Sequence, residues 1–196
     1  MKRGKFIVLE GIDGSGTTTQ TARLASAVGA RGIPVHTTCE PSKGPIGTQL
    51  RAILRGEQQL APAATALLFA ADRIDHLTRE ISPQLTNGVH VISDRYVLSS
   101  LAYQSLEVDR SFVAAINARA PAADLTLLVD VPVAIAEQRR EARGGPVDLY
   151  DASDFQRRVR DAYLDEATRA DVPILDGTGS ADAVFQSIWQ HVEPLL

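Results

Sequence analysis

Eight residues, Gly11-Ile12-Asp13-Gly14-Ser15-Gly16-Thr17-Thr18, concentrate the clearest chemistry in this chain. Their glycines and closing hydroxyl fit G-x-x-x-x-G-K-[ST], a loop whose backbone N–H groups cradle nucleotide phosphates, except that Thr17 stands where the pattern has lysine. Thr18 can set its hydroxyl on a magnesium ion shared with the β- and γ-phosphates. Thr17 offers one hydrogen bond and no charge, so rapid phosphoryl transfer here requires a cation from elsewhere. Three arrangements stay open: an enzyme in which arginine compensates, a slow enzyme, and a protein that binds nucleotide without turnover. An ordinary glycine-rich strand-to-helix turn is the bland alternative to all three.

The basic residues are uneven in type: three lysines, Lys2, Lys5 and Lys43, against 17 arginines. Arginine is therefore the expected supplier of the missing charge, and its planar fork suits phosphate oxygens. Arg139, Arg140 and Arg143 are the best candidates. Arg139 and Arg143 lie four apart on one helix face, and Gly144-Gly145 beyond them can hinge a lid over about 139–153. The alternative is a solvated helix end, where the dipole also favours arginine.

A second set of residues suits an acceptor. Phe69 and Arg73 sit one helical turn apart, as an aromatic face for a base and a cation for its phosphate, although a core Phe beside a surface Arg has the same spacing. Asp94-Arg95 ends a strand, where the aspartate can hold metal-bound water and the arginine can meet a phosphoryl group; structural salt bridging is the alternative. Ser99, Ser100, Tyr103 and Gln104 occupy the next helix, and Ser100 and Gln104 share a face that could read a base edge or simply be helix-surface polars. Asp13 faces the gap between donor and acceptor. Cys39 has no evident partner base and reads as a small buried hydrophobe, and His36, His76, His90 and His191 show no metal spacing.

These residues need a scaffold, and the apolar pattern supplies one. Phe6 to Leu9 reads as a buried strand and Thr18 to Ala30 as a helix ended by Gly32. Strands are expected again at Ile33–Thr37, Val89–Ile92, Leu125–Val129 and Val172–Leu175. Helices are expected around Ile46–Leu54, Ala61–Leu85, Leu98–Ser105, Ser111–Ala120, Pro132–Glu141, Phe155–Thr168 and Ala181–Val192. Such alternation predicts an α/β fold, a parallel sheet covered on both faces, with its active loops at the carboxyl edge. Both the phosphate loop and Asp94-Arg95 fall there.

Composition narrows the partners. A chain of 196 residues, 44% hydrophobic, suits one core with a small mobile excursion. A formal charge of -4 gives no broad nucleic-acid footprint. A single cysteine fits a reducing compartment, only four apolar residues separate the basic start from Glu10, and no run reaches membrane-spanning length. The expectation is a cytoplasmic protein with no leader and no membrane partner.

Read together, the motifs resemble thymidylate kinase over almost the full length. The matching residues are Glu10 to Gly16 with Thr18-Thr19-Gln20, then Glu40-Pro41, Phe69 with Arg73, Asp94-Arg95-Tyr96, Ser99 and Ala102-Tyr103-Gln104. Asp124 to Asp130, Asp154-Phe155, Arg158 to Arg160 and Ala162 to Leu164 extend the match. The resemblance implies a homodimeric P-loop nucleoside monophosphate kinase with a three-layer fold, moving the γ-phosphoryl of ATP, with Mg2+, onto dTMP. On the matching positions Gly11 to Thr18 would bind ATP, and Thr18 and Asp94 the metal. Phe69 would stack on thymine, Arg73 and Arg95 would hold the acceptor phosphate, and Ser99, Ser100, Tyr103 and Gln104 would line the dTMP site. Asp13 would meet the 3′-hydroxyl and Tyr103 would disfavour a 2′-hydroxyl. Asp13, Arg95, Arg139, Arg140 and Arg143 would carry catalysis. Gly14, where a basic residue can follow Asp13, resembles the bacterial subgroup whose catalytic arginine comes from the lid. Thr17 departs from the family lysine, and Cys39 and Ser42 from an arginine and a glycine of the acceptor loop.

Overall fold

The computed structural model describes residues 2–144 and 152–196. Residues 145–151, with Gly145 of the expected hinge and much of the expected lid, lie outside the described residues.

Five strands form one parallel sheet: β1 (Phe6–Glu10), β2 (Val35–Cys39), β3 (His90–Asp94), β4 (Leu125–Asp130) and β5 (Ile174–Asp176), in the order β2-β3-β1-β4-β5. β1 is buried along its whole length, which is why it reads as an unbroken apolar run rather than an alternating one. Its residues nevertheless split between the faces. Ile7 and Leu9 pack with Leu24 and Val28 of α1 (Thr17–Ala30) and with Val184 and Ile188 of the last helix, Ala181–Val192. Phe6 and Val8 pack on the other face against Leu77, Ile81, Leu85 and Tyr96.

Between β2 and β3 run α2 (Pro45–Leu54), α3 (Pro62–His76) and the short α4 (Ser82–Thr86). After β3 come α5 (Val97–Tyr103) and α6 (Arg110–Asn117), after β4 come α7 (Val133–Arg143) and α8 (Ser153–Arg169), and α9 (Ala181–Val192) follows β5. Helices thus cover both faces, a three-layer α/β arrangement. Leu9 pairs with Asp94 on one side and with Leu127 on the other, so β1 and β3 deliver their following loops to one edge.

Several boundaries differ from the sequence expectation for identifiable reasons. The helix expected across Ala61–Leu85 is interrupted by a π-helical turn, Leu77–Ile81, just before Pro83. Pro83 has no N–H for the carbonyl four residues earlier, and the ladder widens to accommodate it. β2 and β5 start two residues later than expected because each is preceded by a proline, Pro34 or Pro173, that donates no ladder bond; their carbonyls still accept, from His90 N at 2.9 Å and Leu128 N at 3.0 Å. α6 starts at Arg110 because Asp109 caps it, accepting from Ser111 N at 2.9 Å and Phe112 N at 3.2 Å. It ends at Asn117, whose side chain turns inward onto Arg73.

Candidate active site

The phosphate loop depends on glycine at two positions. Gly14 has φ +90, and a Cβ there would sit 2.3 Å from the carbonyl oxygen of Ala136 on α7. Gly16 has φ +97 and faces open space. Both conformations are strained for any side-chain-bearing residue. No side chain caps α1 at Gly16, which leaves the first-turn N–H groups for an anion. A cavity of about 440 Å³ opens here, lined by the loop, Asp94, Arg95, Arg139, Arg143 and the Gly177–Gly179 turn after β5.

Thr18 Oγ1 donates to Asp94 Oδ2 at 2.5 Å. Asp94 Oδ1 is buried and has no hydrogen-bond partner among the described residues. A hydroxyl beside a carboxylate with one unspent oxygen is the hard-oxygen pair that Mg2+ accepts when substrate phosphates complete its shell. Among the described residues no cluster of three His, Cys, Asp or Glu could hold a metal by itself. Thr17 is buried, 5% exposed, at the position the missing lysine would occupy.

The three arginines of α7 divide in role. Arg139 Nη2 donates to Gly177 O at 2.9 Å and Nη1 to Ser15 O at 3.3 Å, clamping the phosphate loop to the turn after β5. Arg140 Nη1 donates to Asp13 O at 2.7 Å. Arg143 is exposed, lines the cavity and has no hydrogen-bond partner among the described residues. The sequence grouped all three as replacement cations; their geometry makes two of them staples of the loop backbone.

A second cavity, of about 240 Å³, shares Asp13 and Arg95 with the first and is walled by Phe69, Ser99, Ser100, Tyr103 and Gln104. Arg95 has φ +75, a left-handed backbone that a non-glycine residue adopts at a cost of order 1–3 kcal/mol. Its guanidinium reaches Asp13 Oδ1 at 2.7 Å and the Tyr163 hydroxyl at 2.9 Å, and lies 5.3 Å from the Tyr103 ring centroid. Burial works against its charge, but Tyr103, Tyr163, Asp13 and Asp94 hold its pKa well above the ordinary value. Burial pushes the Tyr103 phenol up to about 12, which keeps it neutral at physiological pH.

Arg73 is placed differently from the sequence expectation. It is 1% exposed and does not line the acceptor cavity. Its Nε and Nη2 donate to Glu40 Oε2 at 2.8 and 2.7 Å, Nη2 donates to Tyr96 O at 3.0 Å, both Nη atoms donate to Ser100 Oγ at 3.1 Å, and Nη1 also reaches Asn117 Oδ1. A buried guanidinium needs all its donors satisfied, and this neighbourhood satisfies them from behind the cavity. Ser100 Oγ accepts twice from Arg73, which leaves its proton unspent in that contact, and Ser100 lines the cavity.

Other groups were missed by the sequence reading. Glu10 is fully buried and accepts from Tyr96 N at 2.8 Å, Ser99 Oγ at 2.6 Å and the Tyr163 hydroxyl at 3.1 Å; burial raises its pKa despite the lowering effect of Ser99, Arg95 and Tyr96. A carboxylate closing an unbroken apolar strand is the signal that could have found it. Arg51 and Leu54 also line the acceptor cavity, and Arg51 donates to Pro41 O at 2.9 Å. Ser42 gives both its N–H and its hydroxyl to Asp72, each at 2.6 Å, so the departure from glycine ties the acceptor loop to α3. Cys39 is half-buried at the end of β2, and burial pushes its thiol up, against a nucleophilic role.

The family described as thymidylate kinase matches residues 9–188. The probable thymidylate kinase of Pyrobaculum aerophilum is 42% identical over 192 residues, covering 97% of each chain. The thymidylate kinase of Carboxydothermus hydrogenoformans is 37% identical over 202 residues, covering 98% of each.

Proposed function

This chain belongs to the thymidylate kinase family, and from that membership we propose that it transfers the γ-phosphoryl group of ATP to dTMP, giving ADP and dTDP. The observation that carries this reading is the Arg95–Asp13 pair, 2.7 Å apart at the junction of two cavities. Arg95 can hold an acceptor phosphate there, in line with a terminal phosphate seated on Gly14 to Thr18. A monophosphate oxygen forms the new bond to the γ-phosphorus while the bond to the β–γ bridging oxygen breaks. The acceptor oxygen is already anionic, so positioning and charge neutralisation suffice and no general base is required. Thr18 and Asp94 would hold Mg2+, which supplies charge neutralisation at the β- and γ-oxygens. Arg143 takes the electrostatic place of the lysine absent at Thr17, in the manner of a lid arginine of the bacterial subgroup, with the lid spanning about 139–153 of a single kinase domain. Phe69 stacks on the base and Tyr103 closes on the sugar. The Ser100 proton, aimed outward by Arg73, suits a base carbonyl rather than an amino group.

The functional unit is a homodimer in the cytoplasm. α3 exposes Leu67 at 48% and Ile74 at 41%, seven residues apart on one stripe, with Phe112 of α6 also exposed, an apolar strip suited to a second copy. Sedimentation of the wild type against Leu67→Glu tests this, the variant running as a monomer.

A coupled assay with ATP and dTMP, dUMP, dCMP or dGMP should show clear preference for dTMP; absence of acceptor-dependent turnover rejects the reading. Thr17 alone favours a second reading, a nucleotide sensor without turnover. Calorimetry would then detect ATP or dTMP binding while product analysis found no dTDP.

A further inference from the structure

Behind the acceptor cavity a chain of polar side chains runs from the surface to Ser100. Its middle member, His76, ends α3 with a side chain that is wholly buried. His76 Nδ1 lies 3.3 Å from Glu40 Oε1, and Nε2 lies 2.7 Å from Thr38 Oγ1 and 3.6 Å from Glu80 Oε2. Outward, Glu80 Oε1 is 2.8 Å from His36 Nε2, and both of those side chains are 34% exposed. Burial would raise the Glu80 pKa, but bonds from His36 and Thr38 more than offset it, so Glu80 stays a carboxylate. His76 Nδ1–H can donate to Glu40 Oε1 while Nε2 faces the Thr38 hydroxyl.

Inward, Glu40 is the hinge of the chain. Its Oε2 holds Arg73, while among the described residues its Oε1 is met by His76. Arg73 in turn orients Ser100, and both Glu40 and Ser100 line the acceptor cavity. The inward members, His76, Glu40, Arg73 and Ser100, are all buried, so a misplaced carboxylate cannot be rescued by water.

We propose that His76 is a positioning residue for the acceptor: it fixes Glu40, and through Arg73 the direction of the Ser100 hydroxyl, and Glu80 ties that support to the protein surface. This rests on the reading that the Phe69 cavity takes a pyrimidine monophosphate. The donor side shares no member of the chain, so the effect falls on acceptor binding.

The test measures KM for dTMP, KM for ATP, kcat and thermal midpoint in His76→Phe, His76→Gln and Glu80→Gln. His76→Phe should raise the dTMP KM about tenfold, the scale of one buried hydrogen bond, with the ATP KM unchanged. His76→Gln, which keeps a polar end, should recover most of that loss. Glu80→Gln, at the solvated end, should raise the dTMP KM about twofold to threefold without unfolding the protein. A dTMP KM unchanged in Glu80→Gln, or an equal rise in both substrates' KM, overturns the proposal even if His76→Phe fails to fold. Calorimetric dTMP affinity of the same variants separates the two readings. A wild type that binds dTMP but makes no dTDP rejects the kinase reading alone, unchanged affinities in the variants reject the positioning role alone, and a wild type that does not bind dTMP rejects both.

Discussion

At the acceptor end, Arg95 is held by Asp13 and Tyr163, and Arg73 by Glu40, Ser100, Asn117 and the Tyr96 carbonyl. At the donor end, Thr17 carries no charge, and the cation with no partner among the described residues, Arg143, stands exposed at the last turn of α7. One half of the site is pre-organised by ion pairs before substrate arrives, the Arg73–Glu40 pair buried and the Arg95–Asp13 pair partly exposed. The other leaves its charge on a helix end that lines the donor cavity, the arginine proposed above to stand in for the missing lysine. This division has chemical value in a phosphotransferase, because an incompletely charged donor site hydrolyses less ATP while the acceptor is missing.

Removing the shared ion should therefore do the most damage. Arg95→Ala takes away the cation proposed to hold the acceptor phosphate and would leave Asp13 facing that phosphate with like charge. We expect a loss of about 10³-fold or more in kcat/KM for dTMP, measured by the coupled assay, the scale of an arginine at a migrating phosphoryl group. A loss below tenfold would show that the acceptor half does not rely on its ion pairs.

Arg143→Ala tests the opposite half and should lower kcat about 10²-fold with little change in the dTMP KM. Arg140→Ala should lower kcat on a similar scale, but by loosening the Asp13 carbonyl and hence the loop. The comparison sharpens if a lysine is restored: in the Thr17→Lys background, Arg143→Ala should cost less than about tenfold, because two cations then compete for one role. An undiminished cost would mean that Arg143 does something a loop lysine cannot.

How much of this was legible beforehand follows the same divide. The phosphate loop was readable because glycines at Gly14 and Gly16 and a hydroxyl at Thr18 are demanded by local backbone geometry. The parallel α/β sheet was readable from unbroken apolar strands such as Phe6 to Leu9. The partners of Arg73 were not legible because spacing says which face of a helix a side chain occupies, not whether a glutamate 33 positions earlier waits behind that face. The contacts of Glu10, Tyr163 and His76 escaped for the same reason, since His76 meets Glu40 across 36 residues and Tyr163 meets Glu10 across 153. The π-helical turn before Pro83 shows the local limit: the proline was seen, but periodicity cannot distinguish a helix that stops from one that widens.

The smallest expected effect concerns stability. Burial raises the Glu10 carboxyl pKa above its ordinary value of 4.5, so the fold favours the protonated form. That contribution is complete below the ordinary value and is lost as pH rises through the raised one. Urea titrations followed through Trp189, at several pH values from about 4.5 upward, should show the wild type losing stability relative to Glu10→Gln across this window. Arg143→Ala should run parallel to the wild type within about 0.5 kcal/mol at every pH, since an exposed cation adds little to folding. Parallel curves for Glu10→Gln as well would mean that its hydrogen-bond donors fully compensate its burial, and the acceptor half would then be no more strained by its charges than the donor half.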